Sequence, residues 1–171
     1  YIITGGCGGL GLQVAKWLSE QGAGHLILTS RSGAGTAAQA VLDAIKAGSE
    51  TEVSVVAADV TDLAAMQGVV DLAESLAPLK GIIHAAGIID DGILLQQTVE
   101  RFEKVMAPKV KGAWNLHKLT VDKKLDFFVS FSSTASVLGV TGQSSYAAAN
   151  AFLDSLAGYR GSLGLPALTI N

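Results

Sequence analysis

One cysteine, Cys7, is all the thiol this chain has, so no internal disulfide framework can staple it. A lone thiol suits a reducing compartment, and the cytoplasm is the expected location. Charge is also sparse: 16% of residues are charged and the net charge is −3. No basic tract appears, so the electrostatic footprint of a nucleic-acid binder is missing. No apolar run approaches the roughly 18 to 20 residues that span a bilayer, which argues against a membrane partner. No metal site is expected, and no internal repeat, low-complexity tract or interdomain linker interrupts the sequence. An initiator methionine and a signal segment are absent as well. Both ends, Tyr1-Ile2-Ile3-Thr4 and Ala167-Leu168-Thr169-Ile170-Asn171, read as cuts through strands. The expectation is a single core, residues 1–171, excised from a longer polypeptide.

What the chain does have is apolar mass: 49% of its 171 residues are hydrophobic, ample for one domain and too few residues for two ordinary ones. Short apolar, β-branched runs alternate with helical patterns. Strands are read at Tyr1–Thr4, His25–Ser30, Val53–Asp59, Gly81–Ala86, Asp126–Ser133 and Ala167–Asn171. Helices are read near Leu10–Gln21, Thr36–Ala47, Leu63–Leu76, Thr98–Leu119 and Ser144–Leu163. The strands are continuously apolar rather than alternating, as in a parallel sheet covered on both faces. The fold class is therefore α/β: a Rossmann-like, doubly wound parallel sheet with helices on both faces, truncated at its last strand and before any substrate lid. Ligands in such sheets bind beyond the carboxyl ends of the strands, which singles out the loops Arg31–Gly35 and Gly87–Leu95.

The first strand runs into Thr4-Gly5-Gly6-Cys7-Gly8-Gly9-Leu10-Gly11 and then into a helix. Glycines permit the tight turn and let backbone approach a pyrophosphate, while the helix N-terminus offers unpaired N–H groups. Two registers fit, Gly6-x-Gly8-x-x-Gly11 and Gly5-x-x-x-Gly9-x-Gly11. Position after a strand and before a helix is the context that makes this weak motif a dinucleotide fingerprint. Further on, where an acidic residue would hold the ribose hydroxyl of NAD, the chain reads Ser30-Arg31-Ser32. No carboxylate stands there, and Arg31 offers a planar fork suited to a phosphate, so NADPH is expected over NADH. Asp59-Val60 could accept hydrogen bonds from an adenine amino group, or Asp59 could cap the next helix, a role for which Asp62 competes. The small residues of His84-Ala85-Ala86-Gly87 would leave room for a ribose, with His84 itself read as a packed strand histidine.

Lys109 is out of place. It lies three residues after Met106 and four before Ala113, on the apolar stripe of its helix, where an unpartnered ammonium is costly to bury. Later, Ser132-Ser133-Thr134 follows the fifth strand, and thirteen residues past Ser133 comes Tyr146, with Asn150 one helical turn beyond. These residues resemble the short-chain dehydrogenases/reductases, and more closely the ketoreductase domains of modular polyketide synthases and related fatty-acid synthases. Most of that superfamily carries Tyr-x-x-x-Lys, whereas this chain has Tyr146-x-x-x-Asn150. In ketoreductase domains the lysine comes from the preceding long helix and an asparagine takes its slot, and Pro108-Lys109-Val110-x-Gly112-Ala113-x-x-Leu116-His117 matches that helix motif. The resemblance runs the whole chain.

It implies reduction of a β-ketoacyl thioester on an acyl carrier protein to the β-hydroxyacyl thioester with NADPH, beside other domains of the same synthase. Tyr146 would be the general acid, Ser133 a hydrogen-bond donor to the substrate oxygen, and Asn150 would orient Lys109 or a water chain. A tyrosine is a suitable acid only when its ordinary pKa near 10 is brought down, which a neighbouring ammonium does by stabilising phenolate; this gives Lys109 a reason to face inward. Ile89-Asp90-Asp91 stands where B-type members carry Leu-Asp-Asp. Leu138 replaces the tryptophan of A-type members, Gln143 is not the histidine of one A subclass, and Ala148 is not the proline of one B subclass. The resemblance thus implies a B1-like enzyme giving the D-alcohol, with Asp90 and Asp91 as plain solvated loop acids the alternative. Two other readings compete: a freestanding carrier-protein or ketone reductase, and a non-catalytic, structural Rossmann-like half.

Overall fold

Apolar runs as short as Gly81-Ile82-Ile83-His84 have no polar face to offer water, so each must lie inside a sheet covered on both sides. The computed structural model, which describes residues 1–171, places them there. Strands β1 (Ile2–Thr4), β2 (His25–Ser30), β3 (Glu52–Ala57), β4 (Gly81–His84), β5 (Phe127–Phe131) and β6 (Leu168–Ile170) form one sheet in the order β3-β2-β1-β4-β5-β6. Every pairing is parallel, and the last strand is in the sheet, aligned from Val129↔Leu168 to Phe131↔Ile170.

Successive strand residues point to opposite faces. Ile2, Ile27, Ile82 and Phe128 pack with Met66, Val69 and Val70 of α3 (Leu63–Leu76) and Leu116 of α5 (Ala113–Thr120). Ile3, Leu26, Leu28 and Ile83 pack with Leu12 and Leu18 of α1 (Gly9–Glu20) and Leu42 and Ile45 of α2 (Thr36–Gly48). Burying one such side chain is worth about 1.5–3 kcal/mol, so these two layers supply most of the driving force. The order reverses between β1 and β4, where neighbouring connections leave in opposite directions and open a crevice. No helix is long and apolar enough to cross a membrane.

Three strand ends at the crevice differ from the sequence expectation. Pairing stops at Ala57, His84 and Phe131, so Asp59, Ala85, Ala86, Ser132 and Ser133 lie just beyond the strands rather than in them. The predicted helix Thr98–Leu119 is not uniform either. It runs as α4 (Val99–Ala107), a π-helical stretch Pro108–Gly112, and α5. Pro108 has no N–H to give the carbonyl of Lys104, and the ladder passes through the wider repeat. Gly112 lets this bulge sit tight on the β3–α3 connection, since a Cβ there would come within 2.7 Å of Val60 Cγ1.

The α3 cap is Asp62, whose carboxylate accepts from the backbone N–H groups of Ala64 and Ala65 at 2.9 and 3.1 Å. Asp59 instead accepts from Thr61 N and Thr61 Oγ1, both at 2.8 Å, which leaves its loop free of the capping role. Helix α7 (Ser144–Ser162) is tied down by Arg160, fully buried, which donates to the Pro166 carbonyl at 3.1 Å and lies 4.0 Å from the Phe128 ring centroid. Burial lowers its pKa to about 10.

His84 lies buried beside Thr4, with Nδ1 2.7 Å from Thr4 Oγ1. Desolvation, and then the neighbouring Lys109 charge, lower its pKa to about 3. The unfolded chain, with an ordinary histidine near pKa 6.5, binds the extra proton between those values. Stability therefore falls as pH drops from about 6.5 toward 3. His84→Gln should flatten the acid slope of the urea-unfolding free energy; an unchanged slope would mean another group drives it. Asp62→Ala should lower the same free energy by about 1 kcal/mol at neutral pH through loss of the cap.

Candidate active site

The first turn separates glycines that the chain itself requires from one that it does not. Gly5 has φ +67°, and a Cβ there would lie 2.7 Å from the Ala85 carbonyl oxygen. A Cβ on Gly6 would come 2.7 Å from Ile3 O, and one on Gly11 would overlap the Gly5 carbonyl. At Gly9, the first residue of α1, a Cβ would meet nothing within 4 Å. Packing therefore does not demand glycine at position 9, whereas open space above a helix N-terminus is what an approaching phosphate uses. Cys7 is half-buried against the α1 side of the core, and Leu10 is exposed.

A cleft of about 510 Å³ lies beyond the strand ends, lined among others by Gly5, Gly8, Ser30, Arg31, Ser32, Asp59, Val60, Ala85, Ala86 and Gly87. The expected cofactor residues from four separate loops thus share one crevice, at the order reversal. Arg31 and Ser32 stand exposed on its rim, while Ser30 turns its hydroxyl onto the Gly33 carbonyl at 2.8 Å. The Thr61 backbone N–H is the chief cause of a lowered Asp59 pKa, with the Arg31 charge contributing. Arg31 and Asp59 line the same cleft. This donor and acceptor set, with small residues between, fits a phosphorylated dinucleotide. Asn115, buried on α5, holds the floor in place by donating to the carbonyls of Val60 and Thr61, each at 3.1 Å.

The π-helical stretch delivers Lys109 inward, 5% exposed. Its ammonium donates to the Phe131 carbonyl at 2.8 Å and lies 5.5 Å from the centroid of the Tyr146 ring. Burial lowers the Lys109 pKa to about 8, against an opposing pull from Asp154. Gly87 borders the lysine stem, where a Cβ would sit 3.2 Å from Lys109 Cε. Asn150 is fully buried; its Nδ2 donates to the Tyr146 carbonyl at 2.8 Å, its own carbonyl accepts from Ser132 Oγ at 3.3 Å, and its Oδ1 has no protein partner. Asn150 therefore makes no bond to Lys109 and braces the first turn of α7. Ser133 opens a tight turn into α6 (Ala135–Leu138), its Oγ accepting from Ala135 N at 3.2 Å.

The loop 88–98 forms the other wall. Ile89 and Leu138 are 63% and 81% exposed. Asp90 is paired with Arg101 and Lys104, and the Arg101 hydrogen bond holds its pKa low. Asp91 reaches across instead, accepting from Gln143 Nε2 at 3.0 Å.

Sequence reasoning passed over three contributors. Asp154, whose Oδ2 lies 2.6 Å from Ser136 Oγ, locks α7 to the turn that follows Ser133. Its position four residues after Asn150, itself four after Tyr146, was the available signal. Asn115 offered none, because it acts on backbone carbonyls of a segment distant along the chain, and Arg101 offered none because a charge pair across a loop has no fixed spacing.

The KR domain family model matches residues 1–171. A phenolphthiocerol/phthiocerol polyketide synthase of Mycobacterium tuberculosis (strain CDC 1551 / Oshkosh) is 41% identical over 100% of this chain. The chain spans 9% of that relative's length. The crystal structure of an N-terminal ketoreductase from the macrolactin assembly line superposes with a TM-score of 0.94 at 39% identity, covering 100% of this chain and 36% of the other. A structure described as A-type ketoreductases from a modular polyketide synthase gives a TM-score of 0.92 at 43% identity, covering 98% and 36%. With its sheet order, its crevice and its displaced lysine in place, the chain belongs to the KR domain family, the ketoreductase domains of modular polyketide synthases, which are oxidoreductases of the short-chain dehydrogenase/reductase type.

Proposed function

We propose that this chain is the NADP-binding catalytic core of a synthase-embedded ketoreductase that reduces a β-ketoacyl thioester, carried on an acyl carrier protein in the cytoplasm, to the D-β-hydroxyacyl thioester. The observation that carries this reading is Lys109, brought through a π-helical bulge to lie buried beneath the ring of Tyr146. A reductase needs an acid at the nascent alkoxide, and an acid that leaves a phenolate needs a fixed positive charge beside it.

NADPH, when bound in the crevice, would supply the hydride. Gly9 and the α1 N-terminus would hold its pyrophosphate, Arg31 and Ser32 its ribose phosphate, and Asp59 with the Val60 backbone its adenine. On the protein side, Tyr146 gives its hydroxyl proton to the carbonyl oxygen as charge develops there. Lys109 stabilises the phenolate so formed, and Ser133 donates a hydrogen bond to the same oxygen, an oxyanion contribution that strengthens along the reaction. Asn150 keeps the first turn of α7, and so Tyr146, fixed relative to Ser132. Asp91, joined to Gln143, narrows the opening, and Ile89 with Leu138 gives it apolar edges. Because overall likeness extends to a structure described as A-type, the D-configuration is argued from Ile89-Asp90-Asp91 and Leu138, not from the fold.

Tyr146→Phe removes the transferable proton and should lower NADPH-dependent ketone reduction by about 10²–10⁴-fold while cofactor binding survives. Retention of most activity would refute the mechanism. Lys109 loses its proton as pH rises through about 8, so kcat should fall above that value. Lys109→Arg, which stays charged, should move the fall to higher pH, and an unmoved limb would assign it elsewhere. Arg31→Ala should weaken NADPH binding about tenfold or more with little effect on NADH, since a charged hydrogen bond is worth about 1.5–3 kcal/mol. Equal weakening of both would remove Arg31 from the phosphate.

A further inference from the structure

Asp90 and Asp91 are neighbours with opposite fates, and Arg101 on α4 is the cause. Its Nε donates to Asp90 Oδ1 at 3.2 Å, and one terminal nitrogen pairs with the same oxygen. The guanidinium also donates to the Gln96 carbonyl at 3.0 Å and to the Asp91 carbonyl at 2.9 Å. One planar fork thus gathers both ends of residues 90–96, with Lys104 completing the neutralisation of Asp90 at 3.6 Å. Gly92 makes room for it, since a Cβ there would sit 2.8 Å from an Arg101 terminal nitrogen. The loop so held meets the segment that leads into Tyr146: Gly92 N donates to the Gly142 carbonyl at 2.8 Å, and Gln143 reaches Asp91.

An exposed ion pair by itself contributes little. This one differs because two of its bonds go to backbone carbonyls, which fix the path of a loop and not merely a charge. We propose that Arg101 is a positioning residue for substrate selection, holding residues 90–96 as a wall against the Gly139–Gln143 turn so that the acyl chain reaches Tyr146 in one orientation. The inference rests on the reading of Tyr146 as the acid toward a β-ketoacyl thioester. A ketone has two faces, and hydride arrives from one side, so the alcohol's configuration is set by which substituent lies toward which wall. Ile93 on the held loop, Ile89 just before it, and Leu138 and Val140 beside the turn that the loop meets are all exposed apolar residues available to such a chain. Without the fork, the Gln96 and Asp91 carbonyls are released and the wall no longer excludes the second orientation.

The test uses the full chain with NADPH and a β-ketoacyl N-acetylcysteamine thioester, reading kcat, KM and the ratio of the two alcohols by chiral chromatography. Arg101→Gln should raise KM about tenfold while lowering kcat less than about threefold, and the minor alcohol should grow to about a tenth of product or more. Arg101→Lys, which keeps charge without the fork, should fall between. Guanidinium ion should move the ratio of Arg101→Ala back toward wild type, because it can occupy the vacated fork and rejoin Asp90 to the Gln96 and Asp91 carbonyls. Asp90→Asn, should Arg101→Gln not fold, must shift the ratio in the same direction. Wild-type ratios in both Arg101→Gln and Asp90→Asn overturn the inference alone, as does a fall in kcat with the ratio unchanged. A wild-type chain that turns over no β-ketothioester overturns the underlying reading as well.

Discussion

Burying the Lys109 ammonium costs solvation, and the parts of the site are arranged around keeping it buried and charged. A lone ammonium taken from water shifts toward its neutral form, and here burial does lower its pKa, to about 8. Three features resist further loss: the Phe131 carbonyl at 2.8 Å, the face of Tyr146 at 5.5 Å, and the opposing pull of Asp154. None is a direct ion pair. That difference matters, because a carboxylate in contact would satisfy the ammonium and leave less of its charge to act on the Tyr146 side. The lysine is held charged but only partly compensated.

Its placement also dictates the backbone. A lysine on an ordinary α-helix at this point would keep the stripe of Val105 and Ala113 in simple register. The π-helical repeat from Pro108 to Gly112 adds the turn that aims position 109 at the end of β5, and such bulges are concentrated where function asks for an irregular helix. Gly112 then accepts the side chain of Val60, so the bulge that presents the lysine also packs on the β3–α3 connection. Asn115, on the helix continuing from the bulge, holds the carbonyls of that same loop. The placement of Lys109 and the floor of the crevice are thus two consequences of one segment, residues 108–115.

The strand and helix alternation, the parallel sheet and the crevice at the order reversal could be read from continuous apolar runs, because a strand buried on both faces leaves no other pattern. Lys109 could be noticed because an ammonium on an apolar stripe conflicts with burial. What could not be read is how it gets there. A π bulge has no side-chain period of its own, and Pro108 and Gly112 alone suggest only a kink. Strand ends ran two residues long at Asp59, Ala86 and Ser133, because apolar character continues where strands splay and pairing stops. Asn115 escaped because its partners are carbonyls, which every residue has, and Arg101 because pairing with Asp90 across a loop has no fixed spacing. Arg160 reads as an ordinary helix-end cation and is instead fully buried against Phe128.

The glycine turn shows how structure separates two reasons for one residue type. Gly5, Gly6 and Gly11 are required by the chain: each would drive a Cβ into backbone, and Gly5 also has positive φ. Those three would be glycine whether or not anything bound. Gly9 is different, because protein atoms leave its Cβ position empty. Of the two registers that the motif allowed, only the one containing Gly9 places a glycine at the start of α1 whose Cβ position the protein leaves open.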